Sequence, residues 1–240
     1  MRQLFFSTDK LNGRCIPLSG EASRDLHRRG SSRLRYSIFL AVEHCHAHGV
    51  IHRDIKPGNI FVEDDGQVRL IDFGVAAERG ARSSLAGYEE ERVGTLPYAA
   101  PEQILDPATA TYEAADIHSL GVVLYELLTG RIPWEMREDE DEEAYRARLP
   151  FEEPVPPSAY RPELPTEIEA VVLKAIHRNS ARRHQSVAEL RTELEAAFRA
   201  AASVDPATTA SHAAGVARRW PALLTLAALL PLLAWILLSA

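Results

Sequence analysis

Between Val50 and Gly74 the chain reads VIHRDIKPGNIFVEDDGQVRLIDFG. Two carboxylates, Asp54 and Asp72, and one amide, Asn59, stand there around a short apolar run. An aspartate on a fixed loop can accept the proton that a hydroxyl loses when it attacks. Magnesium takes hard oxygen ligands, commonly one or two carboxylates together with phosphates and waters. Transfer of a phosphoryl group needs little more than a nucleophile held in line, metal ions on the phosphates and stabilisation of charge. The residue types at 54, 59 and 72 suit that chemistry if the chain brings them to one place.

The surrounding pattern supplies elements that do so. Ile60–Val62 and Val68–Ile71 are short apolar strands on either side of EDDG, a hairpin turn signal. Antiparallel pairing places Asn59 and Asp72, at the two open ends of that hairpin, near each other. Upstream, YSIFLAVEHCHAHG predicts a helix from Tyr36, with Ile38, Val42 and Leu40 or Cys45 inward and Gly49 at its stop. Downstream, Glu113–Thr129 is apolar on nearly all sides, which marks a helix at the centre of a fold. Gly130 caps it and Pro133 prevents its return. Thr166 with Glu169, and Ser186 with Glu189, form capping-box patterns. The first precedes a face of Ile168, Val171, Val172, Ala175 and Ile176, and the second precedes Leu190, Leu194 and Phe198. Residues 1 to about 33 show no sustained period and no strand pair. The expected fold is mostly α, with one small β-hairpin.

Bulk properties narrow the partners. A 46% hydrophobic and 25% charged composition suits a globular chain. A net charge of −7 argues against nucleic acid as a partner, because that footprint would be basic. The two cysteines, Cys15 and Cys45, follow no secretory leader and read as reduced thiols. The acidic run REDEDEE, Arg137–Glu143, reads as a solvated face, with attraction for basic partners as the alternative. His44 and His48 are four apart, as in some zinc sites, but no third ligand stands at a matching spacing, so packing is the expectation.

The C-terminal stretch is of another kind. Ala222–Leu238 carries no charge and would span roughly 25 Å as a helix. Arg218, Arg219 and Trp220 precede it, which orients the N-terminal side to the cytoplasm. Pro231 is tolerable in such a helix. The expectation is a single-pass transmembrane helix at 220–239 in the cell membrane, joined by a linker at 200–219.

HRDIKPGN, DFG, GTLPYAAPE and DIHSLGVVLYELLTGRIPW occur in that order. Together they resemble the C-terminal lobe of the serine/threonine protein kinases, and the bacterial membrane-anchored group most closely. The resemblance runs from about Tyr36 to Phe198, which sets the expected domain at 36–199 after an irregular segment at 1–35. It implies ATP and Mg2+ as cofactors and protein substrates phosphorylated on serine or threonine. It implies that Asp54 is the catalytic base, that Lys56 steadies the transferred phosphate, and that Asn59 and Asp72 hold magnesium. Thr95 would touch the catalytic loop and help select the acceptor, and Arg53 would meet a phosphate on the activation loop, where Ser83, Ser84 and Thr95 are the available hydroxyls. Glu102 and Arg183 would form a structural ion pair, and Asp116 would anchor the catalytic-loop backbone from the central helix.

The same family carries a glycine-rich loop and a strand lysine over the nucleotide. Upstream of Tyr36 the glycines are Gly13, Gly20 and Gly30, with no G-x-G-x-x-G, and Lys10 is the one lysine before the catalytic loop. The expectation is therefore a kinase shortened at its nucleotide-clamping lobe, whose exposed cleft floor invites a covering partner chain. The alternatives are a catalytically impaired, membrane-tethered binding module, or a fragment of a longer kinase gene.

Overall fold

The computed structural model describes residues 14–15, 31–62, 68–74, 76–78, 96–105 and 113–203. The chain divides into two compact units, Met1–Ala197 and Phe198–Ala240. The first carries the site. Of the second, only 198–203, the end of a helix, is described.

The first unit is mostly helical, as the sequence pattern predicts. Its elements begin with strand β1 (Arg14–Cys15) and helix α1 (Ser31–Ala47). Strands β2 (Val50–Ile51), β3 (Ile60–Val62), β4 (Val68–Leu70) and β5 (Ala77–Glu78) follow. Helices α2 (Pro101–Leu105), α3 (Glu113–Thr129), α4 (Glu142–Arg148), α5 (Thr166–Ala175) and α6 (Val187–Ser203) complete it. The hairpin β3–β4 pairs Ile60 with Leu70 and Val62 with Val68. Beyond the Ile60–Leu70 pair, at the open end, the ladder continues, with Ile71 N–H donating to the Asn59 carbonyl at 2.9 Å.

Two features extend the expected elements. Strand β1 adds to the hairpin, pairing Arg14 with Val62 and Cys15 with Phe61, although two residues offer no period to detect. Helix α1 starts at Ser31, five residues before Tyr36. The arginine-rich lead-in SSRLR hides the start, since arginine is a good helix former but marks no apolar face. Within α1, Ile38, Phe39 and Val42 are buried, whereas Leu40 is 50% exposed and does not face the core.

Helix α3 is the axis. From Ala115 to Tyr125 every residue is buried, so no polar face is turned to water. Its approach to α5 is close enough to require glycine. A Cβ on Gly121 would stand 2.7 Å from Ile176 Cγ2 and 2.8 Å from Ala175 Cβ, inside any normal contact. Gly130 ends α3 at φ +73, donating its N–H to the Glu126 carbonyl at 2.7 Å. The α5 face is buried as its spacing requires: Ile168, Val171, Val172, Ala175 and Ile176 are all in the core.

The capping boxes divide. Glu189 N–H donates to Ser186 Oγ at 3.1 Å, and Glu189 accepts in return from Gln185 N–H at 2.7 Å, one residue further back than the pattern predicts. At α5 the box is absent. Pro165, not Thr166, is the N-cap, and Glu169 instead accepts from Ser158 N–H at 2.6 Å. Pro165 fixes the entry backbone, and a tertiary partner then takes the glutamate.

Half of the acidic run is built into the fold. Arg148 grips Glu140 with two bonds, at 2.7 and 2.6 Å, and these hold the Glu140 carboxyl down to about 2. Asp141 caps α4 by accepting from Ala144 N–H at 2.8 Å. Glu142 pairs with Arg146 one turn on. Glu138 and Glu143 keep the solvated character expected of the run.

Three histidines are buried without charge. His118 lies 1% exposed, stacked on Trp134 with ring centroids 5.8 Å apart, and burial followed by the nearby Arg183 cation drives its pKa well down. Burial also lowers His52 and His184. A group whose folded pKa is depressed binds its proton only after unfolding. Stability is therefore kept above the unfolded value of ~6.5 and lost below it, by up to ~1.4 kcal/mol per pH unit per histidine. Glu126, raised by burial, acts in the opposite sense, but it is one group against three. Urea midpoints are expected to fall steeply between pH 7.5 and 5.5, and less steeply in His118→Phe, which keeps the stack and removes the proton site. A flat profile over that range would refute the linkage.

Candidate active site

The site is assembled on the segment between β2 and β3, held from beneath by α3. Asp116, fully buried on α3, accepts from His52 N–H at 2.9 Å, from Arg53 N–H at 2.8 Å and from His46 Nε2 at 2.8 Å. Three donors satisfy a carboxylate that burial would otherwise penalise heavily. They also fix the backbone immediately before Asp54.

His52 serves the same purpose from above. Its Nε2 donates to the Ile71 carbonyl at 3.1 Å, and its Nδ1 accepts from Asp54 N–H at 3.3 Å. A carbonyl can only accept and an N–H can only donate, so the ring is the neutral Nε2–H tautomer. Burial, which lowers its pKa, favours the same neutral form. The Phe73 ring lies against it, centroids 4.7 Å apart, tying the end of β4 to the loop.

Asp54 is 7% exposed. Its Oδ2 accepts from Asn59 Nδ2 at 3.0 Å and is paired with Lys56 Nζ at 2.9 Å. Asn59 Nδ2 also donates to the Asp54 carbonyl at 2.8 Å, so the nitrogen arm of its carboxamide is the one turned toward Asp54. Pro57–Asn59 form a single 3-10 turn, and that turn folds Asn59 back over Asp54. The other carboxylate oxygen, Asp54 Oδ1, is buried with no hydrogen-bond partner among the described residues. An oxygen in that state calls for a donor from outside the described protein. Asp72, exposed, accepts from Gly74 N–H at 3.2 Å. Among the described residues, the non-glycine positions with positive φ are Arg53 at 67° and Asp72 at 63°. Each costs of order 1–3 kcal/mol, and such strain gathers where chemistry dictates the backbone.

Hard oxygens on Asp54, Asn59 and Asp72 are the donor set that magnesium takes, and the buried Asp54 Oδ1 can accept from a substrate hydroxyl. The donor chemistry thus fits magnesium. Arg53 is buried at 3% exposure, with its peptide group pointed at Asp116. Glu102 and Arg183 meet in a bidentate pair at 2.7 and 2.8 Å. Thr95, Ser83 and Ser84 lie outside the described residues, as do 204–219 of the expected linker at 200–219 and the apolar stretch at 220–239, while 200–203 are the helical end of α6. Among the described residues no helix is long and apolar enough to cross a membrane.

Contacts with no sequence signal complete the frame. Tyr98 donates its hydroxyl to Glu126 at 2.7 Å, and Ser119 Oγ donates to the Tyr98 carbonyl at 2.8 Å. These pin the segment Leu96–Ala100 to α3. Gln103, on α2, reaches the segment that carries Asp54, donating to the Arg53 carbonyl at 2.9 Å. His46 sits inside HCHAH, where its spacing singles out nothing.

The sequence matches the protein kinase domain over residues 15–194. Among its relatives, the serine/threonine-protein kinase PknB of Mycolicibacterium smegmatis is 36% identical over 185 residues, covering 74% of this chain and 29% of the relative. PrkC of Bacillus subtilis is 33% identical over 179 residues, covering 74% and 26%. A probable serine/threonine-protein kinase of Streptomyces coelicolor is 34% identical over 175 residues, covering 73% and 25%. The chain spans between 25% and 29% of the length of these relatives. A match over most of the chain, together with a loop that gathers Asp54, Lys56 and Asn59 at bonding distance, leads to one conclusion: this chain belongs to the protein kinase family.

Proposed function

We propose that this chain transfers the γ-phosphoryl group of ATP to serine or threonine hydroxyls of protein substrates, with magnesium as the metal. The observation that carries this reading is the state of Asp54. One oxygen is tied to Lys56 and Asn59, and the other is buried and without a partner among the described residues. That second oxygen suits the proton of an attacking hydroxyl. Lys56, beside it, brings a positive charge to the place where the transferred group would gather negative charge. Asn59 and Asp72 would hold the metal, which when bound neutralises phosphate charge. Asp116 and His52 keep Asp54 in place. Arg53 would receive a phosphate on the loop that carries Ser83, Ser84 and Thr95, since guanidinium binds phosphate bidentately. The test is transfer of labelled γ-phosphate from ATP to a basic protein substrate or to the chain itself, followed by identification of the labelled residue. Label on serine or threonine that vanishes with a magnesium chelator supports the reading, and no transfer, or label on tyrosine alone, ends it.

The kinase-like domain, 36–199, is proposed to work at the cytoplasmic face of the cell membrane. The uncharged stretch Ala222–Leu238, with Arg218 and Arg219 before it, supports a single-pass anchor at 220–239 joined through a linker at 200–219. Deleting 220–240 is expected to move the protein from the membrane fraction to the soluble one. Retention on membranes after deletion would remove the anchor.

A further inference from the structure

The peptide group of Arg53 is held at both ends. Asp116 takes its N–H at 2.8 Å, and Gln103 Nε2 donates to its carbonyl at 2.9 Å. The other end of the same carboxamide accepts from Ala100 N–H at 2.9 Å. An N–H can only donate and a carbonyl can only accept, so these two partners fix the amide's orientation. Arg53 is also one of the strained residues, at φ 67, and it directly precedes Asp54. A left-handed arginine persists only where its surroundings over-determine it. Asp116 supplies one half of that determination from the central helix. Gln103 supplies the other half from α2.

We infer that Gln103 is a positioning residue that couples the segment Leu96–Ala100 to the catalytic loop. The inference rests on the function proposed above and deepens it. Leu96–Ala100 directly follows Thr95, the residue expected to help select the acceptor. Tyr98 and Ser119 fasten that segment to α3. Gln103 then spans from Ala100 to Arg53. When the segment is in place, the carboxamide is oriented and the Arg53 carbonyl has its donor. When the segment is displaced, that donor is lost and the backbone before Asp54 is free to relax out of its left-handed conformation. Seating of the acceptor-side segment is thereby transmitted to the base, through one amide and without contact with the nucleotide.

Two substitutions in the full chain separate the halves of the bridge. Gln103→Met keeps length and removes both bonds. Gln103→Glu keeps the acceptor for Ala100 N–H and removes the donor to Arg53. Hydrogen exchange read by mass spectrometry gives a measure independent of activity. In Gln103→Met, amides of both 52–59 and 96–100 are expected to exchange about tenfold faster, the scale of one net hydrogen bond. In Gln103→Glu only 52–59 speeds up. In both, the interior of α3 stays at the wild-type rate. Where the wild type transfers phosphate, both variants are expected to lose about tenfold in kcat with the KM for ATP unchanged, which a general loss of folding would not produce. Exchange at 52–59 equal to wild type in Gln103→Met, or a change confined to the KM for ATP, overturns the coupling. A wild-type chain that transfers no phosphate defeats the functional reading alone, and the exchange comparison still decides the bridge.

Discussion

Asp54→Asn is expected to lower phosphotransfer by about 10²–10⁴-fold while leaving the fold and its thermal stability almost unchanged. The expectation follows from the two unlike environments of the carboxylate oxygens. Oδ2 accepts from Asn59 and is paired with Lys56, and an asparagine oxygen can occupy that position and accept from both. Oδ1 has no hydrogen-bond partner among the described residues, so the new NH2 group meets no donor there to repel it. The substitution therefore removes basicity and little else. The asparagine cannot take the hydroxyl proton, and it presents N–H where the attacking group needs an acceptor. A charge is also lost beside Lys56, which weakens that pair, but Lys56 is about one quarter exposed and is partly solvated in any case. Single-turnover transfer and a thermal melt, measured on the same preparation, check both halves. Unchanged transfer would mean that Asp54 is not the base. A large loss of stability would mean that the reading of its environment is wrong.

The parts of the site that could be read from residue types are those whose chemistry is their identity. Asp54, Asn59 and Asp72 stand out because proton acceptance and metal ligation would restrict the choice to a few side chains, and because one hairpin joins 59 to 72, whereas Lys56 stands out only through the resemblance. The central helix was legible for the opposite reason, since Glu113–Thr129 has no polar face to leave in water. The frame was less visible. Gln103 has no distinguishing type, and its role depends on a carbonyl fifty residues away in sequence. The strain at Arg53 and Asp72 is a backbone property that side-chain identity does not announce. Thr166 and Glu169 match a capping pattern, yet Pro165 sets the entry and Ser158 claims the glutamate. Local rules lost there to a tertiary contact, which is the usual way they fail. Strand β1 was out of reach because two residues carry no periodicity.

Arg183→Met is expected to destabilise the domain by about 3–5 kcal/mol, a large share of the ~5–15 kcal/mol available to a typical fold. The Arg183 side chain is fully buried, and all five of its N–H bonds are used. Two go to Glu102, at 2.7 and 2.8 Å. The others go to the carbonyls of His177, Ala114 and Arg178. The side chain thus ties α2, the start of α3 and the connection between α5 and α6 to one point. Methionine fills much of the same volume but leaves the Glu102 carboxylate without its partner and three carbonyls without this donor. Glu102→Gln should cost less, because Glu102 is about one quarter exposed and Arg183 keeps its three carbonyls. The double variant measures the pair itself: if the bidentate contact dominates, the loss from both changes will be well below the sum of the two single losses. Urea unfolding at pH 7.5 reads all three. Additive losses would show that Arg183 acts through the carbonyls alone. An Arg183→Met variant as stable as the wild type would show that this buried charge is not what ties α2 to the start of α3.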